Sequence, residues 1–238
     1  MSRYVVQAGW NNVPHLSEQD KADLMKSLSP HQIKARSEGV PSLGAGAIYP
    51  VPEEDIICEP FQIPSWWARI YGLDVGWNKT AAVWGAWDRD TDTLYLNSEH
   101  YRGQAEPSVH AKAIKMRGEW IPGNIDYAGT NQGDGKRIMT LYENEGLILQ
   151  PANKAVEAGL LEMLDRLSTG RIKVFSTLQH WLAEYRLYRR NDKGRIVKEN
   201  DHLMDATRYL IMGLQHATTR PVERHNQIIQ PGDPTAGY

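Results

Sequence analysis

Three aspartates in this 238-residue chain sit where a carboxylate can do chemistry. Asp74 lies near the end of Arg69-Ile70-Tyr71-Gly72-Leu73-Asp74-Val75-Gly76-Trp77, a run whose Ile70, Tyr71 and Val75 favour a strand. Alternation puts Leu73 and Val75 on one face and Ile70, Gly72, Asp74 and Gly76 on the other. A charge inside so apolar a strand needs a partner, hydrogen bonds or a metal, and the flanking glycines leave room for a ligand. Asp126 belongs to a second short strand within Gly123-Asn124-Ile125-Asp126-Tyr127-Ala128-Gly129. The third acid comes from Asp201-His202-Leu203-Met204-Asp205, at the start of the last helix. There Asp201 and Asp205 fall one turn apart on one face, and His202 neighbours Asp205 at i, i+3. Leu203, Thr207, Leu210 and Leu214 form the opposite, core-facing stripe. An acid in a first turn also stabilises the helix dipole. That explanation serves Asp201, beside the capping Asn200, better than Asp205, which is placed a turn further in.

Three carboxylates in a chain whose only cysteine is Cys58 form a hard, all-oxygen donor set. Such a set suits Mg²⁺ or Mn²⁺ and excludes a cysteine-based zinc site. Two such ions, about 3.5–4 Å apart, would activate a water and stabilise the leaving oxygen in phosphodiester cleavage, with no side chain as nucleophile. His202 has two readings, as a base or nitrogen ligand and as a group that only orients Asp205. Asp205→Asn is expected to abolish cleavage and to raise thermal stability by relieving repulsion among the acids.

The elements that must hold these residues read in order. Thr80 to Trp87 and Thr93 to Tyr101, joined by the turn at Asp88 to Asp92, continue the Asp74 strand as an antiparallel meander. A helix from Pro107 to about Arg117 then crosses to the Asp126 strand, so the two acid-bearing strands lie side by side and parallel. Ligands in α/β sheets gather at the carboxyl ends of such strands. Helices from about Lys136 to Asn144, Val156 to Leu167, after Thr177, and Asp201 to about His216 alternate with strands Leu147 to Gln150 and Arg171 to Phe175. The fold class is α/β, a mixed sheet of three meander strands plus parallel strands flanked by helices. Residues 1–64 are rich in Gly and Pro and read as a linker with short helices near 18–28 and 30–37. The folded domain spans 65–217, and 218–238, with three prolines, is expected to be disordered.

A net charge of −2 argues against wholesale coating of nucleic acid and leaves room for a local basic surface. The hairpin from Leu187 to Lys198, turning at Asn191-Asp192-Lys193-Gly194, supplies one. Arg186, Arg189, Arg190, Lys193, Arg195 and Lys198 stand there against the single acid Asp192, a grip for a DNA backbone. Charged hairpins are more often merely solvated, and Tyr185 and Tyr188 are assigned to the core. No apolar run approaches the ~20 residues of a membrane helix, and no signal-peptide core follows Met1-Ser2-Arg3, so a cytosolic setting without membrane contact is expected.

Tyr71-Gly72-Leu73-Asp74-Val75-Gly76, Ile125-Asp126-Tyr127-Ala128-Gly129 and Asp201-His202-Leu203-Met204-Asp205-Ala206-Thr207-Arg208-Tyr209 together resemble the nuclease domain of the large terminase subunit of tailed bacteriophages. The likeness covers about Ser65 to Gln215 and is most specific in its last motif. It implies an RNase H-like fold and a metal-dependent endonuclease that cuts double-stranded viral DNA during packaging in the host cell cytoplasm. It also implies Asp74, Asp126 and Asp205 as metal ligands for Mg²⁺ or Mn²⁺, and His202 in the accessory catalytic position. Asp201 stands nearby as a further accessory acid. The implied partners are double-stranded DNA, the terminase ATPase domain, the small terminase subunit and the portal. Residues 10–60 resemble the segment leading out of the family's ATPase motor, whose own sequence is expected ahead of this stretch and is absent. The chain therefore reads as a domain cut from its motor or as the product of a shortened gene. Gly129 to Arg137 imitates a phosphate loop, but five residues separate Gly129 from Gly135 and Arg137 replaces the Ser or Thr that binds Mg²⁺. It reads as a loop beside Asp126, with Lys136 near DNA phosphate. Competing readings are an actin- or sugar-kinase-like phosphotransferase, which lacks its second glycine-rich turn here, and a non-catalytic docking module of the packaging motor.

Overall fold

The computed structural model describes Trp10 and residues 17–27, 46–126, 132–191 and 193–221. The chain enters through α1 (Glu18–Ser27), α2 (Glu53–Ile56) and the two-residue β1 (Ile57–Cys58). Strands β2 (Ala68–Asp74), β3 (Thr80–Asp88) and β4 (Thr93–Arg102) follow, then α3 (Pro107–Lys115), β5 (Gly123–Asp126), α4 (Gln132–Asn144) and β6 (Leu149–Pro151). The chain continues through α5 (Val156–Ser168), β7 (Ile172–Phe175), α6 (Gln179–Leu187), α7 (His202–Met212) and a 3-10 turn, Leu214–His216.

Among the described residues the sheet has seven strands in the order β1-β7-β4-β3-β2-β5-β6. Strands β2, β3 and β4 form the expected antiparallel meander, and β5 and β7 join its two edges in parallel. Alternation along β2 sorts its side chains as the pattern predicts. Ala68 and Ile70 enter the larger apolar core with α5, α6 and α7, while Tyr71 and Leu73 enter a second core with α3 and α4.

Gly72 departs from expectation. Its open side is filled by protein: a Cβ there would lie 1.8 Å from the Ala206 carbonyl oxygen. The missing side chain lets the backbone of α7 lie directly on β2, and no space is left for a ligand at that glycine.

Helix α7 is consequently buried on every side. It packs on β2, β3 and β5 and is covered by α5 and α6, so each residue from Leu203 to Ile211 is buried, Asp205 and Arg208 included. The single apolar stripe expected of it describes a half-exposed helix, which this is not. The fully buried Trp181 of α6 anchors the pair of helices by donating from its indole to Thr207 Oγ1 at 2.8 Å.

The boundary drawn at residue 64 does not separate the packing. Tyr49, Val51 and Ile56 sit in the larger core, Tyr185 donates to the Val51 carbonyl at 2.8 Å, and β1 pairs with β7. Residues 46–64 thus pack as part of the folded body. At the other end, Thr218 bridges Arg69. The helix expected near 30–37 and the tail from 222 lie outside the described residues, as do 127–131.

Candidate active site

Parallel pairing of β5 with β2 sets Asp126 directly opposite Asp74 in the strand register. Both residues end their strands, and both project to the side covered by α7. Asp74 Oδ2 and His202 Nδ1 are 2.8 Å apart. His202 therefore engages Asp74, on the sheet, and not its helical neighbour Asp205. That contact raises the His202 imidazole above its ordinary range. Burial pushes the Asp74 carboxyl upward, His202 partly offsets this, and the charges of Asp205 and Asp126 add to the rise. The three acids thus share one electrostatic environment although they come from three elements.

Asp126 is held by Tyr209, whose hydroxyl donates to Oδ2 at 3.0 Å, and by Lys154, whose Nζ is 3.2 Å from Oδ1. Asp205 accepts from Arg208 at 3.0 Å and from Lys198 at 2.9 Å, and the same Lys198 ammonium stands 2.8 Å from Asp201 Oδ2. Burial works against the charge on Lys198, but the two carboxylates outweigh it and hold the ammonium well above its ordinary range.

The start of α7 is built differently from the sequence reading. Asn200 takes a left-handed φ of +53° and Asp201 makes no capping hydrogen bond. Glu184, reaching across from α6, accepts from the Leu203 and Met204 amides at 2.6 and 3.3 Å. The helix begins at His202, so Asp205 belongs to its first turn and Asp201 precedes it. Dipole stabilisation therefore explains Asp205 as readily as Asp201, and what distinguishes the two is their contacts.

Asp74 and Asp126 are hard oxygen donors on adjacent strand ends, the chemistry a divalent cation of the Mg²⁺ class requires. Asp205 has the same donor type, with each of its oxygens engaged by a cationic side chain. Among the described residues, no three His, Cys, Asp or Glu side chains are gathered closely enough to hold an ion as they stand. The residues fit such a metal in type and neighbourhood, with Lys198 at the position from which Asp205 would have to be released.

The basic hairpin forms, bridged at Arg190 and Ile196, with Asn191 donating to the Arg195 carbonyl. Its charges are not equivalent. Arg186 forks onto Glu53, Arg190 pairs with Glu157 at 2.7 Å and Lys198 with the two aspartates. Among the described residues, Arg189, Lys193 and Arg195 pair with no carboxylate. The stretch read as a loop beside Asp126 is helical from Gln132, so Gly133, Gly135 and Lys136 belong to α4.

Sequence reasoning missed Tyr209, Arg208, Lys154 and Glu184. Tyr209 and Arg208 follow Asp205 at the i+4 and i+3 spacings that bring helix residues together. Lys154 follows β6, which lies beside β5. Glu184 carries no local signal.

A three-stranded meander extended by parallel strands, with acids at adjacent strand ends under a covering helix, is the RNase H-like class. The profile of the family described as Terminase RNaseH-like domain matches residues 71–214, and the chain belongs to this family. It is 34% identical over 223 residues to the terminase large subunits of Enterobacteria phage LP7 and Salmonella phage P22. The alignment takes in 87% of this chain and 46% and 44% of theirs, so the chain spans less than half the length of these relatives. Among solved structures, the P22 large terminase nuclease domain matches with a TM-score of 0.70 at 34% identity, over 75% of this chain and 97% of that one. The large terminase nuclease domain of bacteriophage SPP1, solved with bound Mn, shares the fold at 21% identity, with a TM-score of 0.52 over 67% of this chain and 97% of that one.

Proposed function

We propose that this chain is a metal-dependent endonuclease that cleaves double-stranded viral DNA during genome packaging. The observation that carries this reading is the in-register pair Asp74 and Asp126 beside α7, in a chain of the terminase RNaseH-like family. Asp74, Asp126 and Asp205 are the proposed ligands of divalent ions, Mg²⁺ or Mn²⁺, and the SPP1 domain of the same fold was solved with Mn. When bound, two such ions supply an activated water and stabilise the leaving oxygen.

The chain's own groups do the rest. Tyr209 and Lys154 fix Asp126, and Glu184 fixes the start of the helix that carries His202 and Asp205. His202, held on Asp74 at the half-exposed edge of the site, is placed to orient that carboxylate and to relay a proton to solvent. Lys198 holds a positive charge against Asp205 and would have to leave that oxygen for Asp205 to hold an ion. Asp201 is the accessory acid that retains Lys198 once it moves. Arg189, Lys193 and Arg195 are the proposed first contacts with DNA phosphate, and Arg186, Arg190, Lys198 and Lys136 are further proposed contacts with DNA. An ATPase domain, a small terminase subunit and a portal are the proposed partners, in the host cytoplasm. Among the described residues no helix is long and apolar enough to cross a membrane.

Purified chain incubated with supercoiled plasmid tests the proposal. Nicked and linear products are expected with Mg²⁺ or Mn²⁺ and not with EDTA, and no ATP turnover is expected. Cleavage that persists in EDTA contradicts it, and stoichiometric ATP hydrolysis would favour a phosphotransferase.

The hairpin makes a separate prediction. Replacing Arg189, Lys193 and Arg195 with Ala should weaken duplex binding and flatten the log–log salt dependence by about 0.9 per lost phosphate contact. The melting temperature should hardly move, because exposed charges contribute only about 0–1 kcal/mol to stability. An unchanged slope, measured by fluorescence anisotropy across a salt series, removes the hairpin from the DNA surface.

A further inference from the structure

At the opposite end of β2 from Asp74, on the other face of the sheet, Arg69, Arg117 and Arg220 line a pocket of about 510 Å³ together with Trp66 and Trp120. Arg69 shares its face of β2 with Tyr71 and Leu73, and about 17 Å of extended chain separates it from Asp74.

The composition of this pocket is that of a site. No aspartate or glutamate lines it, and among the described residues none of its three guanidinium groups forms an ion pair. Arg166, Arg171 and Arg208 elsewhere in the fold each reach a carboxylate. In a chain of net charge −2, a concave surface with three arginines and no acid is a local exception. Among the described residues the Arg69 guanidinium meets only the Ile63 carbonyl, 3.4 Å from Nη2, and its N–H groups on the pocket side are left without a protein acceptor. An orphaned guanidinium N–H is a demand for an oxygen that the protein does not supply.

The arginines are held in place. Arg117 donates to Ser98 Oγ and to the Ala113 and Glu99 carbonyls at 2.7–2.8 Å, which fixes its charge at the pocket wall. Backbone bonds of 2.7 and 3.1 Å between Arg69 and Thr218 set Arg220, two residues on, beside Arg69. Trp66 is 71% exposed, which leaves its indole open to a planar partner.

We propose that this pocket binds a nucleotide unit, with phosphate oxygens between Arg69 and Arg220 and the base against the Trp66 indole. Guanidinium groups match phosphate through charge-assisted, often paired hydrogen bonds, and exposed aromatic rings stack bases without regard to sequence. The volume lies within the ordinary range for small-ligand sites. An inorganic anion would leave Trp66 without a role, and an acidic peptide would offer its ring no flat face. The same chemistry comes from two sources, a free nucleoside diphosphate or one nucleotide of a single strand. The site shares no residue with the proposed nuclease centre, so it stands or falls independently of that reading.

The test uses the full chain in EDTA, titrated calorimetrically with ADP and, by anisotropy, with a short labelled oligothymidylate. Saturable binding of at least one is expected, weakened about tenfold or more by Trp66→Ala and comparably by Arg220→Gln, two exposed changes that should leave the melting curve unchanged. ADP binding identifies the free nucleotide as the source, and binding of the oligomer alone identifies the strand. The proposal is overturned if neither probe binds or if both variants bind like the parent chain. It is equally overturned if polyglutamate binds in place of the nucleotides with Trp66→Ala indifferent.

Discussion

Replacing Asp205 with asparagine is expected to abolish plasmid cleavage and to lower the melting temperature. The loss of activity should be at least the roughly 10²–10³-fold that removal of a single electrostatic contact from an active site produces. The direction of the stability change follows from the contacts. Asp205 does not face only other acids. Its oxygens accept from Lys198 and from Arg208, whose side chain is only 4% exposed and whose Nε and Nη1 meet no other acceptor. Neutralising Asp205 leaves that guanidinium buried opposite an amide, a loss of about 1–3 kcal/mol, or several degrees in a domain of this size. The repulsion argument made from sequence alone gives the opposite sign because it omits Lys198 and Arg208. Asp201→Asn removes only the second partner of Lys198 and should keep measurable activity. An active Asp205→Asn with a dead Asp201→Asn would exchange their roles.

Gly72→Ala should produce the largest stability loss of any single methyl addition near the site. The added carbon would meet the Ala206 carbonyl oxygen at 1.8 Å and the Leu210 amide nitrogen at 3.0 Å, both backbone atoms that no rotamer change can move aside. Overpacking a core typically costs about 1–3 kcal/mol, and here relief requires α7 to lift from β2. That motion carries His202 away from Asp74, so cleavage should fall even at temperatures where the variant remains folded. Circular dichroism melting and a plasmid assay well below the transition check both parts. A variant that melts with the parent chain would mean that α7 does not rest on Gly72.

Much of this arrangement was legible because it depends on local pattern. The meander, the crossover helix and the alternation in β2 follow from period-two runs and turn residues, and parallel pairing then brings Asp74 to Asp126. The rest is non-local. Strand β1 has two residues, too few for a period, and exists because β7 offers it an edge. Glu184 caps α7 from another helix, a bond invisible to any window along the chain. The glycine in β2 was read as space for a ligand because sequence shows the missing side chain and not what fills the gap. The basic hairpin was read as one set of charges open to a DNA backbone, although Lys198 precedes Asp201 at a spacing that favours pairing, and Glu53 and Glu157 take two of its arginines.

The central claim is that Asp74, Asp126 and Asp205 together hold divalent ions once Lys198 leaves Asp205. Crystals soaked in Mn²⁺ and measured at the manganese absorption edge would locate the ions directly. The account predicts anomalous peaks bounded by Asp74 and Asp126, at least one of them in contact with Asp205, and the Lys198 ammonium withdrawn from that carboxylate. Peaks confined elsewhere, or none at saturating Mn²⁺ with Lys198 still bonded to Asp205, would contradict it.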